Sequence, residues 1–296
     1  MIRTSIAMFV LMLETGENAS YRAELEKYRQ DRIAELTAPN GWLAVQGLFW
    51  LHDGANTAGS DPASEIKLPA RAPKRLGVFT SSGAKVTFAP DAAAHVEVAG
   101  KHAADPIELG SGERNAVVSA RLSLFLIRRG DRVGLRMLDP ESMARRTFKG
   151  LQYFPVDPAY HFKAKFTPYP AMKTVPVPNV LGQLVSMESP GYVEFTLNGR
   201  ALRLEPVYET PRHEDLFFIF KDPTRRTDTY EAGRFLHAPV PVGGVVDLDF
   251  NRAYNPPCAF TDFATCPLPT KENQLTVPIR AGELRHHQPA AKPRPH

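Results

Sequence analysis

The stretch R-L-S-L-F-L at residues 121–126 sets an apolar side chain at every second position, and V-E-F-T-L at 193–197 repeats the pattern. Because the side chains of a strand alternate between two faces, both stretches predict strands with one buried face. Further short runs of this kind, separated by turn residues, lie at 77–80, 85–88, 95–98, 115–119, 132–138, 161–166, 201–204, 216–220 and 245–250. Strands so short and frequent favour a mainly β fold, an antiparallel sandwich or barrel-like domain, over βαβ units.

One helix is predicted ahead of these strands, over residues 20–37. Ser20 is a suitable N-cap, and Pro39-Asn40-Gly41 is a strong stop signal. Apolar and aromatic side chains keep roughly helical spacing at Tyr21, Leu25, Tyr28, Ile33 and Leu36. Residues 42–51 are apolar nearly throughout and are expected to be buried, either as a strand or as a short helix.

A chain of 296 residues is long enough for one large domain or two ordinary ones. We expect one continuous, mainly β domain at 20–285, preceded by a leader or flexible segment at 1–19. The basic, proline-rich residues 286–296 are expected to be disordered. The proline-rich residues 167–180 are either a linker or a crossing at a sheet edge, where proline is tolerated.

Composition excludes some classes of partner. The net charge of +4 is weak and scattered, which argues against a nucleic-acid surface.

The apolar run at 6–13 resembles a short signal segment, but it is too short to span a bilayer and lacks a convincing cleavage site. A cytoplasmic location is favoured, with export as the alternative. No G-x-G-x-x-G or G-K-[ST] stretch occurs, so no nucleotide cofactor is predicted.

The densest group of polar residues is D-F-N-R-A-Y-N-P-P-C-A-F-T-D-F-A-T-C-P-L-P at 249–269. Asp249 and Asn251 are expected on one face of a strand that ends at residue 250, and Tyr254 and Asn255 follow. A carboxylate, an amide and a phenol held by rigid prolines can orient a ligand or move a proton. The alternative is a conformational lock, in which these groups bind the backbone of an irregular buried loop.

Two further blocks, 221–236 and 273–283, are expected to converge on the same pocket. Asp222, Asp249 and Glu283 are the acid/base candidates, because nearby carboxylates with separated pKa values are the usual acid/base arrangement. The ligand-binding candidates are Arg234, Asn251, Tyr254, Asn255 and Tyr230. The chain is therefore predicted to be a small-molecule enzyme with hydrolase-like acid/base chemistry, or else a non-catalytic ligand-binding or structural β protein.

The two cysteines, Cys258 and Cys266, are eight positions apart, and we expect their sulfurs to lie near each other. They would form a disulfide in an exported protein and stay thiols in the cytoplasm. Two cysteines alone cannot make a four-ligand structural zinc site, and no H-E-x-x-H spacing occurs, so no metal site is predicted. The absence of G-x-S-x-G lowers the case for a conventional serine hydrolase.

Several stretches together resemble one known family. They are G-W-L-x-x-x-G-L-F-W-L at 41–51, N-T-x-G-S-D-P at 56–62, T-Y-x-x-G-R-F-L at 229–236, and D-F-N-R-A-Y-N-P-P-C-A-F with T-C-P-L-P at 249–269. This combination resembles the family labelled domain of unknown function 1684, over about residues 20–285. The chain departs from the family pattern at Arg225-Arg226 and at Thr270. The resemblance implies the extent of the domain and no established reaction.

Overall fold

The structure is a computed structural model that describes residues 3–286, with side chains from residue 18 onward. Residues 287–296, the greater part of the predicted tail, lie outside the described residues. The chain divides into two compact units. One comprises residues 1–35 and 149–296, and the other comprises residues 36–148. This division does not test the prediction of one continuous domain over 20–285, which stays a prediction.

Helix α1 (Arg3–Thr37) opens the chain. The unit of residues 36–148 then contains eleven named strands and the short helix α2 (Met143–Arg146). The strands are β1 (Val45–Trp50), β2 (Gly54–Gly59), β3 (Ile66–Lys67), β4 (Gly77–Ser82), β5 (Lys85–Pro90), β6 (Glu97–Val98), β7 (Lys101–His102), β8 (Ile107–Glu108), β9 (Val117–Ser119), β10 (Leu122–Arg129) and β11 (Arg132–Leu138).

These strands form two sheets, of order β1-β11-β10-β9-β6-β7 and β3-β2-β4-β5-β8. All their pairings are antiparallel except β2 with β3. Phe79 and Phe88 lie directly opposite each other on β4 and β5, with ring centroids 4.5 Å apart. Together with Leu124 and Leu135 they belong to one buried core of this unit, which is what the alternation at 121–126 predicts.

The other unit contains six strands. They are β12 (His161–Pro178), β13 (Leu184–Leu197), β14 (Arg200–Leu204), β15 (Asp215–Phe220), β16 (Arg234–Pro239) and β17 (Val245–Asp249). Four of them form a sheet of order β14-β13-β12-β17, and β15 pairs with β16 as a two-stranded ribbon. The core contains Phe218, Phe220, Leu248 and Phe250, and the rings of Phe220 and Phe250 meet edge to face at 5.3 Å.

The predicted fold class is confirmed: the chain is mainly β, its sheets are almost entirely antiparallel, and a helix precedes them. Every described sheet ends in two different edge strands, so the described part of the chain contains no closed barrel. No helix in that part combines the length and the apolar character needed to cross a membrane.

Some boundaries differ from the predictions. Helix α1 begins at Arg3 rather than at Ser20, and it ends at Thr37, just before the predicted stop. Residues 42–50 divide into a 3-10 turn, Trp42–Ala44, and strand β1, and Leu51 follows the strand. The proline-rich residues 167–178 belong to β12, which β17 covers only at 161–165, so these prolines lie where β12 has β13 as its one partner among the described strands.

Candidate functional site

The first cluster of predicted site residues is an enclosed ion pair, Asp222–Arg234. Asp222 follows β15 and caps the 3-10 turn Pro223–Arg226, where its side chain accepts a hydrogen bond from the backbone nitrogen of Thr224 at 3.1 Å. Arg234 Nη2 donates to Asp222 Oδ1 at 3.0 Å and to the carbonyl oxygen of Ile279 at 2.9 Å. Its Nη1 donates to the carbonyl oxygen of Ala281. Each of the two side chains is only 1% exposed.

Glycine makes this pairing possible. Gly233 has φ +115°, and a Cβ there would lie 2.6 Å from the carbonyl oxygen of Phe220. The pair is therefore built into the turn between β15 and β16, and burial lowers the pKa of Arg234 while Asp222 opposes that shift. Both groups are bonded to protein partners, which favours a structural role for the pair; the predicted roles of Asp222 and Arg234 stay predictions.

A second enclosed pair joins α1 to the end of the described chain. Arg32 Nε donates to Glu283 Oε1 at 3.3 Å, and Arg32 Nη2 donates to the carbonyl oxygen of Asn255 at 2.9 Å. Glu283 Oε2 accepts from the backbone nitrogen of Asn255 at 2.8 Å. Glu283 is fully buried, and desolvation raises its pKa although Arg32 and Asn255 oppose the shift. Gly282 before it has φ +80°, and a Cβ there would meet the carbonyl oxygen of Ala253 at 2.4 Å.

Asn251 meets Asp249 for a reason different from the predicted one. Strand β17 ends at Asp249, and residues Phe250–Arg252 form a 3-10 turn, so strand alternation does not align the two side chains. Instead Asp249 caps the turn, accepting from the Asn251 backbone nitrogen and from its Nδ2, each at 3.0 Å. Asn251 also forms two hydrogen bonds with the backbone of Asp157. Its Nδ2 donates to the Asp157 carbonyl oxygen, and its Oδ1 accepts from the Asp157 nitrogen.

Asn255 is completely buried. Its Nδ2 donates to the carbonyl oxygen of Leu284 at 2.7 Å, and its Oδ1 has no hydrogen-bond partner among the described residues. It lines none of the three cavities described below.

Asp249, by contrast, borders open space. It lines a cavity of about 360 Å³ that lies within the unit of residues 1–35 and 149–296. Tyr21 of α1 donates to Asp249 Oδ1 at 2.9 Å, and Arg252 Nε donates to Oδ2 at 3.3 Å. Burial and the Asp249 carboxylate raise the pKa of the Tyr21 phenol. Of the eight predicted site residues, Asp249 alone lines this cavity.

Three side chains form a hydrogen-bonded relay, and two of them, Asp215 and His237, line this cavity. His237 Nδ1 lies 2.8 Å from Asp215 Oδ2, and His237 Nε2 lies 2.9 Å from the hydroxyl of Tyr254. On the β15–β16 ribbon Phe217 is opposite His237, so Asp215, two positions earlier, reaches the same face as a diagonal neighbour. Tyr254 reaches the ribbon through backbone hydrogen bonds with Phe235 in both directions.

The relay is shared by two cavities. Asp215 and His237 line the first cavity and also a second one of about 300 Å³, which Tyr254 and Arg32 line as well. The Arg32 guanidinium lies 4.6 Å from the Tyr254 ring centroid. Burial raises the pKa of the Tyr254 phenol, and Arg32 opposes the shift.

A second histidine–carboxylate pair lies in the first cavity. His161 begins β12 opposite Asp249, and its Nε2 is 2.5 Å from Asp247 Oδ1 on β17. Lys163 Nζ donates to the same oxygen at 2.9 Å. Desolvation acts to raise the pKa of Asp247, but hydrogen bonds from Lys163 and His161 lower it overall.

Tyr230, also predicted to bind a ligand, borders a third cavity of about 450 Å³. Its hydroxyl donates to the carbonyl oxygen of Cys258 at 2.9 Å. Cys258 and Cys266 are buried thiols, and the Cys258 backbone nitrogen donates to Cys266 Sγ at 3.2 Å; the expected closeness of their two sulfurs stays a prediction.

The structure thus divides the predicted site. It encloses Asp222, Arg234, Asn251, Asn255 and Glu283 and sets Asp249, Tyr254 and Tyr230 at cavities. The predicted roles of the enclosed residues stay predictions, although their contacts favour the lock. No group of three or more histidine, cysteine or acidic side chains in the described part of the chain is arranged to hold a metal ion.

The sequence reasoning missed other cavity residues, namely Tyr21, His161, Asp215, His237, Asp247 and Arg252. One signal was available, because His237 directly follows the T-Y-x-x-G-R-F-L stretch and shares a strand face with Phe235, two positions earlier. Its contact with Asp215 depends on the register of the ribbon, which the sequence does not state.

Comparison with known proteins adds the following. Residues 146–284 match the family described as protein of unknown function (DUF1684), so the stretches at 41–51 and 56–62 lie outside the match. A solution NMR structure of an uncharacterized protein from Haloarcula marismortui is 31% identical; the alignment covers 47% of this chain and 78% of that one, with a TM-score of 0.40. No curated protein matches the chain.

Proposed function

Since the chain belongs to the DUF1684 family, described only as proteins of unknown function, we propose a function from the geometry of the site. We propose a small-molecule enzyme with acid/base, hydrolase-like chemistry, in which Asp215, His237 and Tyr254 move the proton. The observation that carries the proposal is the continuous hydrogen-bonded relay, 2.8 and 2.9 Å long in its two links, in a wall that faces two cavities.

The partners of His237 assign its tautomer. Asp215 can only accept, so Nδ1 carries a proton; in the proposed resting state Nε2 is bare and accepts from the Tyr254 hydroxyl, with Glu209 Oε2 3.8 Å away. Because burial raises the pKa of Tyr254, the phenol keeps its proton at neutral pH and does not persist as phenolate. In the proposed step the Tyr254 hydroxyl takes a proton from the attacking water as it passes its own proton to Nε2, Asp215 stabilises the imidazolium, and the proton returns along the same path to the leaving group.

The surrounding groups supply contacts for a ligand. Tyr21 and His161 stack with ring centroids 5.2 Å apart in the first cavity, where Asp249 and Arg252 form a second polar wall. Cavities of about 300–1,000 Å³ with a few convergent polar groups are the usual small-molecule sites, and both cavities at the relay reach the lower bound of that range.

The test is turnover by the full chain of p-nitrophenyl esters, phosphates and glycosides. We expect one class to be hydrolysed and kcat/KM to fall by about 10²-fold or more in His237→Asn and Tyr254→Phe, because general acid–base groups contribute on that scale. His213→Asn is the matched control. His213 also pairs with a carboxylate, Glu188 at 2.9 Å, and stacks on a tyrosine, Tyr208, but it lines none of the three cavities.

Equal activity of wild type, His237→Asn and Tyr254→Phe would reject the relay as the proton path. If the wild type turns over none of the three classes, the hydrolase-like reaction is rejected. The alternative, a ligand-binding protein whose polar motif locks its loops, then takes its place, and the enclosed Asp222–Arg234 and Arg32–Glu283 pairs are the observations that favour it.

A further inference from the structure

The third cavity lies apart from the relay and shares none of its residues. It measures about 450 Å³ and is bordered on one side by the loop after β15, with Lys221, Arg225 and Tyr230. Pro178 at the end of β12 and the segment Leu268–Pro269 form the other side. Its size falls within the usual range for small-molecule sites.

The charges of this cavity are unbalanced. Lys221 and Arg225 are half-buried, and no carboxylate in the described part of the chain forms a salt bridge with either. Glu231, which is exposed, is the one acidic residue of the lining. Arg285 adds a third positive group nearby, because its Nη2 donates to the Arg225 carbonyl oxygen at 2.7 Å. Concave linings with an excess of one charge concentrate ligands of the opposite sign, so this cavity favours an anion.

Hydrogen bonds fix the backbone of both cationic residues, Lys221 and Arg225. Lys221 pairs with the 273–275 segment through two backbone hydrogen bonds, of 3.1 Å to Asn273 and 2.8 Å from Leu275. Arg225 lies in the 3-10 turn that Asp222 caps, and Asp222 is itself held by Arg234. The enclosed ion pair thus supports the loop that carries Lys221 and Arg225, and a preformed loop loses less entropy on binding.

The opposite wall is apolar and equally fixed. The backbone nitrogen of Leu268 donates to the Pro178 carbonyl oxygen at 2.7 Å, which joins the two segments of this wall. The ring of Tyr230 is anchored by its hydrogen bond to Cys258. A ligand here meets charge at one end and apolar surface from Leu268, Pro269 and Pro178 at the other.

We propose that this cavity binds a small oxyanion that carries an apolar body, a carboxylate or a phosphate monoester. The planar guanidinium of Arg225 suits two oxygens of one head group, and the Lys221 ammonium supplies a point charge beside it. The apolar body lies on the prolines and Leu268. This site stands independently of the proposed relay.

The experiment measures binding to the full chain by isothermal titration calorimetry with hexanoate, hexyl phosphate, inorganic phosphate and hexylamine. We expect hexanoate, hexyl phosphate or both to bind. Inorganic phosphate should bind more weakly because it lacks the apolar body, and hexylamine should not bind. Whichever of the two anions binds more tightly identifies the head group.

The variants are Arg225→Gln and Lys221→Gln, with Arg226→Gln as the matched control. Arg226 has the same charge and is adjacent in sequence, but it is exposed and does not line the cavity. We expect about a tenfold weaker affinity for Arg225→Gln, the loss of roughly one charge-assisted hydrogen bond, and no change for Arg226→Gln. A urea midpoint equal to the wild-type value shows that Arg225→Gln is folded.

Three outcomes overturn the proposal: neither hexyl anion binds, hexylamine binds as well as they do, or Arg226→Gln weakens binding as much as Arg225→Gln. Equal affinity for inorganic phosphate and hexyl phosphate overturns the part that concerns the apolar body.

Discussion

The β15–β16 ribbon carries a polar cluster at each end, and the two clusters differ in burial. At one end Phe220 is opposite Arg234, and the Asp222–Arg234 pair is closed in with 1% of each side chain exposed. At the other end Asp215 is opposite Pro239, and Asp215 and His237 keep 45% and 32% of their side chains exposed. The ribbon therefore has one pair closed to solvent, Asp222–Arg234, and one partly exposed pair, Asp215–His237, that borders two cavities.

The two ends of the ribbon therefore suit different roles: stabilisation at the enclosed end and the proposed reaction at the open end. A buried charge stays charged only if its partners replace the water it has lost, and Asp222 and Arg234 have such partners on the backbone and on each other. Three of the five N–H donors of the Arg234 guanidinium are bonded within the protein, and the 1% exposure of both side chains leaves a ligand no access. At the open end Asp215 and His237 stay partly exposed, which the proposed proton exchange with a cavity ligand requires.

The largest effect is expected from breaking the enclosed end. Arg234→Met leaves Asp222 buried without its cation, so the free energy of unfolding should fall by about 3–5 kcal/mol. Urea denaturation at neutral pH measures it. Arg226→Met, an exposed arginine of the same loop, is the control and should change stability by less than about 0.5 kcal/mol. A loss below about 1 kcal/mol for Arg234→Met would mean that the pair is not a lock.

The types of the secondary-structure elements could be predicted from the sequence. The element types followed from local pattern: alternation at 121–126 and 193–197 gave strands β10 and β13, and Pro39-Asn40-Gly41 gave the helix end. These are properties of neighbouring residues, which the sequence displays directly.

The site depends on contacts between distant residues, which the sequence does not display. His237 and Asp215 are 22 positions apart and meet only through the register of a ribbon. Tyr21 of α1 reaches Asp249 across 228 positions. The polarity of Asp222 and Asp249 identified both as notable and both are buried, but only Asp249 lines one of the three cavities.

The second enclosed pair should show a pH signature as well as a stability loss. Glu283→Gln puts an amide where Glu283 accepts from both Arg32 and Asn255, so one donor loses its acceptor and unfolding should become easier by about 1–3 kcal/mol.

Its pH dependence follows from the raised pKa of Glu283. Between the unfolded value of 4.5 and the higher folded pKa, the native state holds a proton that the unfolded state releases. Wild-type stability therefore falls as pH rises through this window, while Glu283→Gln lacks that contribution. We expect the gap between the two proteins in urea unfolding to narrow with rising pH. A gap that widens over the same window would contradict burial as the dominant cause.

A smaller effect is expected at the open end. Tyr254→Phe removes only the hydrogen bond to His237 Nε2, which corresponds to about 0.5–1.5 kcal/mol of stability. Tyr208→Phe, which removes a hydroxyl with no hydrogen bond among the described residues, should change little. Nitrogen-15 NMR should find His237 protonated at Nδ1 in the wild type. A loss above about 3 kcal/mol would make the relay a second lock and end the contrast between the two ends.

The smallest effect is expected for Asp247→Asn in the first cavity. Asp247 pairs with His161 and Lys163 but is 43% exposed, so water screens both contacts and the loss at neutral pH should stay below about 1 kcal/mol. The lowered pKa of Asp247 fixes the sign of the pH dependence. The pairs stabilise the fold above the unfolded value of 3.8, and that stability is lost as pH falls through the lowered folded pKa. Thermal unfolding of wild type and variant should therefore differ near neutral pH and converge in acid.

Added salt should shrink the difference in stability between wild type and Asp247→Asn, because the Debye length falls to about 3 Å at 1 M. The stability loss of Arg234→Met should persist in the same salt. If salt left the Asp247→Asn difference intact, the carboxylate would belong with the enclosed pairs and not with the open end.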